Sequence, residues 1–314
     1  KPIVVGSDPR KTNRLWEEMF FKTTRLGPMG LQTTGIGAVD IACWDILGKS
    51  LGMPLYDVLG GAARSRFKVY WSSGLGWSLR PDEMLAKVEQ GYQLGFRAFK
   101  IRMDWDADRL DADPEKDFEM FKLCREFLPD DIPLGFDANN GYSASMAIRQ
   151  GRRFEDLGIS HFEEPVPQHD YRGLRQVADA LDVPVSSGEQ EHTRWQFRDL
   201  ILTANPDILQ PDIVLAGGIS EVGKIYTLAD AFNKPVMPHC PSAGIASAAS
   251  LHLYATVTNA VMPHEFSYEG YSSIEQFESL FLEPLRPEDG YVALPDRPGL
   301  GLEIDEKVLE QCRM

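Results

Sequence analysis

Between Lys100 and Glu265 one pattern constrains the fold more than any other: short apolar runs end, again and again, on a charged or titratable residue. The first run is Arg97-Ala98-Phe99-Lys100-Ile101-Arg102, and later runs end at Asp137, Glu163, Glu189, Asp212, His239 and Glu265. From Lys100 onward the differences between these positions are 37, 26, 26, 23, 27 and 26 residues. A strand, a loop and a crossover helix occupy roughly 25–30 residues or more, so each step holds one βα unit. If the strands are parallel, all seven groups lie at the same end of the sheet. If the sheet closes, they ring one mouth.

The rest of the chain fits that frame. Residues 8–26 have helical spacing, with Leu15, Met19 and Phe20 on one face, Asp8 as N-cap and Pro9 in the first turn. A second helix is expected from Thr33 or Thr34. Its Ile36, Val39, Ile41, Ala42, Trp44, Ile46 and Leu47 are apolar nearly all round, which predicts burial. Gly48 and Lys49 mark its late turns. Pro54–Leu59 reads as a short helical turn closed by Gly60-Gly61. This block has no strand of its own and reads as the tail of a domain.

Strands are expected at 67–71, 97–102, 134–137, 159–163, 183–186, 208–210, 235–238 and 261–265. Helices are expected at about 81–94, 114–128, from Ser143, and at 171–181, 193–203, 219–232 and 243–257. Eight strands alternating with seven helices predict a (β/α) barrel of parallel strands with right-handed crossovers. Residues 291–303 read as extended chain and turns.

Composition excludes several roles. A net charge of −15 disfavours a nucleic-acid partner, because phosphate backbones are repelled. No run reaches the ~18 apolar residues that would argue for a membrane span. The opening stretch, Lys1 to Asp8, lacks a signal-peptide pattern, so a cytoplasmic protein is expected. Cys43, Cys124, Cys240 and Cys312 are far apart with no CxxC, as in ordinary intracellular thiols.

The seven groups divide by chemistry. Asp137, Glu163 and Glu189 end three consecutive strands and would repel one another in a shared mouth unless protonated or bound to a cation. Oxygen ligands alone favour a hard divalent ion, with Mg²⁺ expected. Each carboxylate taken singly is better explained as a loop or cap residue; three at two successive 26-residue steps are not. Glu163 and Glu164 are adjacent, and spacing does not choose between them. Lys100 and Arg102 leave the same face of one strand and are suited to holding a carboxylate substrate, or are simply solvated strand-end cations. Lys100 becomes a base only if its pKa is lowered. Asp212 and His239 end neighbouring strands, and an Asp–His pair makes His239 a general base or acid. His161, His169, His192, His252 and His264 read as structural. Glu265 could donate a hydrogen bond if its pKa is raised, or is a rim carboxylate. Gly217-Gly218 precedes a helix whose free N–H groups could hold an anion, though a plain turn explains it equally. Trp71, Trp105 and Trp195 are candidates for the mouth, with packing as the default.

Together these residues resemble the enolase superfamily and, within it, the mandelate racemase-like subgroup. The matching pieces are Lys100-x-Arg102, Asp137-x-Asn139, Glu163-Glu164-Pro165, Gly188-Glu189, Pro211-Asp212 with Gly217-Gly218, Pro238-His239 and His264-Glu265, over about residues 33–303. The resemblance implies a modified (β/α)7β TIM barrel joined to the C-terminal helical part of an α+β capping domain. It divides the chain into cap residues 1–62, barrel residues 63–285 and a segment, 286–314, returning to the cap, with the chain starting inside the cap's helices. It implies Mg²⁺ on Asp137, Glu163 and Glu189, substrate contacts from Asn139, Lys100, Arg102, His239 and Glu265, and a lysine or histidine base removing the proton α to a carboxylate. It also implies a homo-oligomer.

Arg102 stands where the racemase pattern has lysine. A racemase needs a proton acceptor on each face of its substrate, and arginine is a poor one. One competent base suits elimination of water. The stretch Gly188-Glu189-Gln190-Glu191-His192-Thr193-Arg194-Trp195 is loosely similar to that of sugar-acid dehydratases such as those acting on rhamnonate. The expected activity is therefore an acid-sugar dehydratase making a 2-keto-3-deoxy acid. The alternatives are a racemase or epimerase using Lys100 as second base, or a non-catalytic metal-binding barrel.

Overall fold

The computed structural model describes residues 2–27, 29–74, 76, 78–103, 110–268 and 273–311. Trp105 and Cys312 lie outside the described residues. Seven strands form a parallel path: β1 (Arg66–Ser73), β2 (Phe99–Arg102), β3 (Leu134–Asp137), β4 (Phe162–Glu163), β5 (Val185–Ser187), β6 (Ile208–Leu209) and β7 (His264–Phe266). They pair in the order β6-β5-β4-β3-β2-β1-β7, and β8 (Tyr291–Ala293) adds to β1 in antiparallel sense. Strand alternation splits the apolar side chains into two groups. Val69, Trp71, Phe99, Ile101, Leu134, Phe136, Phe162 and Val185 join the main core beneath the helices. Tyr70, Ala98, Ile208 and Met237 form a separate small cluster in the curl of the sheet. This is an α/β fold of the modified TIM-barrel type.

The expected strand at 235–238 is reduced to a single parallel bridge between Val236 and Leu209. Pro235 and Pro238 lack amide hydrogens, so the ladder has few donors there. The last parallel strand likewise runs 264–266 rather than 261–265, since Pro263 cannot donate and the Val261 amide turns back to Asn259. The Tyr254 hydroxyl closes the gap, 3.0 Å from the Val236 carbonyl and 2.9 Å from that of Met262.

Around the sheet lie α4 (Pro81–Gln93), α5 (Pro114–Phe127), α6 (Ala144–Glu155), α7 (Tyr171–Ala180), α8 (Thr193–Thr203), α9 (Ile219–Ala231) and α10 (Ile245–Tyr254). Their starts follow local chemistry: Ser143 and Asp170 accept amide hydrogens of their own first turns. Before the barrel come α1 (Thr12–Thr23), α2 (Leu31–Leu51) and α3 (Leu55–Val58); α11 (Ile274–Glu278) and α12 (Glu306–Gln311) follow it. Two expectations are corrected here. Asp8 does not cap α1, because its carboxylate is taken by the backbone and guanidinium of Arg10, and the helix begins at Thr12. Helix α2 starts earlier, at Leu31, and is not buried all round: Ile36, Ile41 and Cys43 face inward while Ile46 is 45% exposed.

Helix α2 and α1 rest on the turn that leads into α9. A Cβ on Gly37 would lie 2.2 Å from the Val214 carbonyl oxygen, so only glycine admits this approach. Trp16 Nε1 donates to the Gly217 carbonyl at 2.7 Å, and Asp40 accepts from the Ser220 amide at 2.8 Å and its hydroxyl at 2.6 Å. The helix N-terminus behind Gly217-Gly218 is thus filled by the chain's own carboxylate. Burial raises the Asp40 carboxyl to about 7.

Two buried histidines make the fold acid-sensitive. His252 Nδ1 accepts from the Tyr56 amide and Nε2 lies 3.0 Å from the Leu300 carbonyl, so the ring is neutral. His264 is similarly held between the Glu265 carbonyl and Ser250. Burial pushes both down from 6.5 to about 4. The unfolded chain then binds protons more readily, so this stability is fully present above pH 6.5 and is lost as pH falls toward 4. Each group contributes about 3 kcal/mol at most. Denaturant titrations from pH 7 to 4 should show the loss, and His252→Gln should flatten it; an unchanged slope in the variant would remove His252 from the account.

Candidate active site

Register carries the strand-end residues to one mouth. Arg102 pairs with Asp137, Asp137 with Glu163, and Glu163 with Ser186 across β2 to β5. Ligand oxygens of Asp137, Glu163 and Glu189 all lie within 4.8 Å of one another. Glu189 reaches the group from Gly188, whose φ of 129° is a glycine conformation. Asp137 is fixed by the turn after it: the Asn139 amide donates to Oδ1 at 2.8 Å and its side chain to Oδ2 at 3.1 Å. Asn139 and Asn140 both take positive φ, which asparagine tolerates. Burial and the Glu163 charge push the Asp137 carboxyl well up, and burial leads the rise at Glu189. Three carboxylates are being held together against their own repulsion, a donor set that suits a hard cation.

Of the adjacent pair, Glu163 is the member whose oxygen lies with those of Asp137 and Glu189. Glu163 ends β4 and is fully buried, while Glu164 turns to φ 40° and is bound by the side chains of Asn140 at 2.7 Å and Gln190 at 2.9 Å.

Lys100 does not stand across the mouth from the carboxylates. It lies among them, with Nζ 2.6 Å from Glu163, 3.2 Å from Glu265 and 3.5 Å from Asp137. Burial alone would lower its pKa, but Glu163 and Glu265 outweigh it and raise it well above the ordinary lysine value. The lowering that would make Lys100 a base is therefore reversed. Arg102 sits half-buried at the rim, Nε donating to the Gly74 carbonyl at 2.9 Å.

His239 and Asp212 are paired, with Nδ1 2.9 Å from Asp212 Oδ2. Asp212 is itself locked, since Oδ1 accepts the amides of Val214 and Leu215, both at 2.7 Å. The other ring nitrogen, Nε2, points at the carboxylates, 3.4 Å from Glu189 and 3.9 Å from Glu265. Burial lowers the His239 pKa, but Glu189, Glu265 and Asp212 push it up to about 10. Glu265 accepts the Cys240 amide at 2.6 Å. Burial raises its pKa, yet Lys100 and His239 bring it below the usual value, so the condition for Glu265 to donate a hydrogen bond is not met and it stands as an ionised acceptor.

Other candidates fall to packing. Trp71 lies edge-on to Phe96, and Trp195 stacks on Phe20 of α1. His169 is exposed and His192 Nδ1 lies 2.7 Å from the Leu215 carbonyl. His161 Nδ1 lies 3.0 Å from the Ser160 hydroxyl, and its Nε2 comes to 3.7 Å from Glu163. Gln210 escaped notice in the sequence. It follows β6, fully buried, and donates from Nε2 to Glu163 Oε2 at 2.6 Å. Its signal was position: it lies two residues before Asp212, but a search for titratable groups passes over a neutral amide.

Known proteins share this plan. Residues 83–308 match the enolase C-terminal domain-like family, and residues 1–60 match the mandelate racemase/muconate lactonizing enzyme N-terminal domain. An arabinonate dehydratase of Saccharolobus solfataricus is 33% identical, over 100% of this chain and 81% of its own length. A D-galactarolactone cycloisomerase of Agrobacterium fabrum is also 33% identical, over 99% and 82%. Among solved structures, a mandelate racemase/muconate lactonizing protein of Paracoccus denitrificans complexed with magnesium superposes with a TM-score of 0.94 at 38% identity, covering 99% of this chain and 83% of that one. The chain belongs to the enolase superfamily, in its mandelate racemase-like subgroup.

Proposed function

We propose that the protein is a Mg²⁺-dependent acid-sugar dehydratase, a hydro-lyase that converts a sugar acid to its 2-keto-3-deoxy acid. The observation that carries this reading is the approach of His239 Nε2 to 3.4 Å from Glu189, a proton-carrying nitrogen held beside a three-carboxylate cluster. The dehydratase relative in Saccharolobus supports the substrate class. Asp137, Glu163 and Glu189 would hold the ion. The cluster fits one: its oxygens converge, and a lysine ammonium already lies 2.6 Å from Glu163. Bound there, Mg²⁺ supplies positive charge against the negative charge that builds on a substrate carboxylate as its α-proton leaves.

The chain's own groups do the rest. Asp212 takes the Nδ1 hydrogen of His239, which leaves Nε2 to exchange protons with substrate. The upward push on His239 comes first from Glu189. Were Glu189 engaged as a metal ligand, its charge would bear less on the ring, and His239 would hold its Nε2 proton less tightly. Neutral Nε2 removes the α-proton; the C–H electron pair becomes the π bond of Cα=Cβ as the β C–O bond breaks and its pair leaves with the hydroxyl oxygen. The departing hydroxide collects the proton from His239 and leaves as water, and the enol so formed tautomerises to the 2-keto acid. In this reading Arg102 at the rim and Asn139 beside Asp137 bind substrate oxygens, the Lys100 ammonium faces the substrate carboxylate, and the ionised Glu265 accepts a hydrogen from a substrate hydroxyl. Lys100, embedded in three carboxylates as an ammonium, is poorly suited to a second base, which favours elimination over racemisation. We further propose that residues 1–62 act as cap, 63–285 as barrel and 286–314 as the return to the cap, a division supported by the lack of parallel strands before Arg66 among the described residues.

A panel of aldonic and aldaric acids with Mg²⁺, assayed for 2-keto acid, should yield at least one substrate whose turnover stops with chelator. Exchange of the α-proton in D₂O without keto product would replace this reading with a racemase or epimerase. Turnover confined to galactarolactone would replace it with a cycloisomerase. Silence across the panel would leave a non-catalytic barrel.

A further inference from the structure

Glu163 is gripped at both oxygens. Lys100 takes Oε1 at 2.6 Å, and Gln210 Nε2 takes Oε2 at 2.6 Å. The two grips differ in kind. The ammonium is a charge that competes with any cation for the same carboxylate. The amide is neutral, and a carboxylate oxygen that accepts one hydrogen bond keeps a second lone pair for a metal. The amide orientation follows from chemistry, since the reversed form would set two oxygens 2.6 Å apart. Its own carbonyl, Oε1, is buried with no hydrogen-bond partner, so nothing within the described residues pulls the amide the other way. Gln210 is anchored through its backbone to Ser187 and is followed by Pro211, which restricts its φ and ψ. His161 approaches the same Oε2 only to 3.7 Å, too far for a hydrogen bond.

We infer that Gln210 is a positioning residue for Glu163, holding the carboxylate by a neutral hydrogen bond so that its remaining lone pairs face the cation. This rests on the Mg²⁺ reading above. Asp137 is short and is held by its own turn through Asn139. Glu163 has one more rotatable bond and ends a two-residue strand, so its orientation has to come from elsewhere in the barrel. Gln210 supplies it from two strands away.

The test is Mg²⁺ titration by calorimetry of the full chain without substrate, comparing the parent with Gln210→Met, which keeps length and removes the donor. Loss of such an outer partner typically costs 10–100-fold in metal affinity. The dissociation constant should rise by that factor with one ion per chain retained. At saturating Mg²⁺, kcat should return to within a few-fold of the parent. A general packing defect would instead lower the bound fraction and the melting temperature without this split. Gln210→Ser, which leaves room for water, should show the same loss if Met is poorly tolerated. Ser186→Ala is the control, because Ser186 lies in register with Glu163 and its hydroxyl makes no hydrogen bond there. A Gln210→Met constant within two-fold of the parent, or an equal loss in Ser186→Ala, overturns the inference. A parent that binds no Mg²⁺ overturns the metal reading itself.

Discussion

His239→Asn is expected to reduce kcat on the acid-sugar substrate by at least 10²–10⁴-fold, the usual worth of a positioned general acid–base. The loss should sit at the high end, because the same nitrogen is asked both to take the α-proton and to deliver one to the departing hydroxyl. Asparagine still reaches toward Asp212, whose other oxygen is held by the Val214 and Leu215 amides, so the turn should keep its shape. Mg²⁺ affinity should be kept or improved, since an imidazolium 3.4 Å from Glu189 competes with the ion. Two measurements decide the matter: turnover at saturating Mg²⁺, and α-proton exchange in D₂O. Both should vanish. Exchange that survives would assign proton removal to another residue and leave His239 only the leaving group.

Asp137→Asn carries the second large effect. In the free protein the Asp137 carboxyl is pushed well up by burial and then by Glu163, so the protonated form dominates to higher pH than usual. An acid whose folded pKa is raised costs stability in full above that folded value; the cost shrinks as pH falls through it and is gone below the unfolded pKa. Asparagine imitates the protonated state. Metal-free stability at neutral pH should therefore hold or rise slightly, while Mg²⁺ binding collapses with the loss of a charged ligand. Added Mg²⁺ stabilises the parent by about 2.7 kcal/mol at a hundred times its dissociation constant, and this increment should be missing from the variant. A variant that still gains stability from Mg²⁺ would place the ion elsewhere.

The sequence made the frame legible because a parallel barrel repeats its βα unit, and the repeat shows in residue numbers alone. Asp137, Glu163, Glu189, Asp212, His239 and Glu265 were located by period, and the structure brings them to one mouth. The losses have local causes. Prolines 235, 238 and 263 thinned the ladder where two strands were expected, because apolar content signals a strand and says nothing of missing donors. Gln210 was overlooked because it bears no charge. Lys100 was located by the same pattern but its protonation was unreadable, since the pKa of a buried amine depends on which carboxylates the fold delivers to it. Exposure along α2 was likewise unreadable, because it depends on what packs against each side.

The closure of the barrel has a mechanical consequence. From β1 through β6, and from β1 to β7, neighbouring strands are joined by ladders. At 235–238 there is one bridge on one side, and on the other the Tyr254 hydroxyl and the Glu265 carboxylate act as staples, the latter on the Cys240 amide. A ring loaded evenly yields at its least reinforced joint, and here the joint runs between His239 and Glu265. Breathing of the ring would alter the distance between those two side chains first, while Asp137 and Glu163, in one ladder, would travel as a rigid pair. The molecule thus places its stiffest part under the ion and its most compliant part under the proton-transfer group.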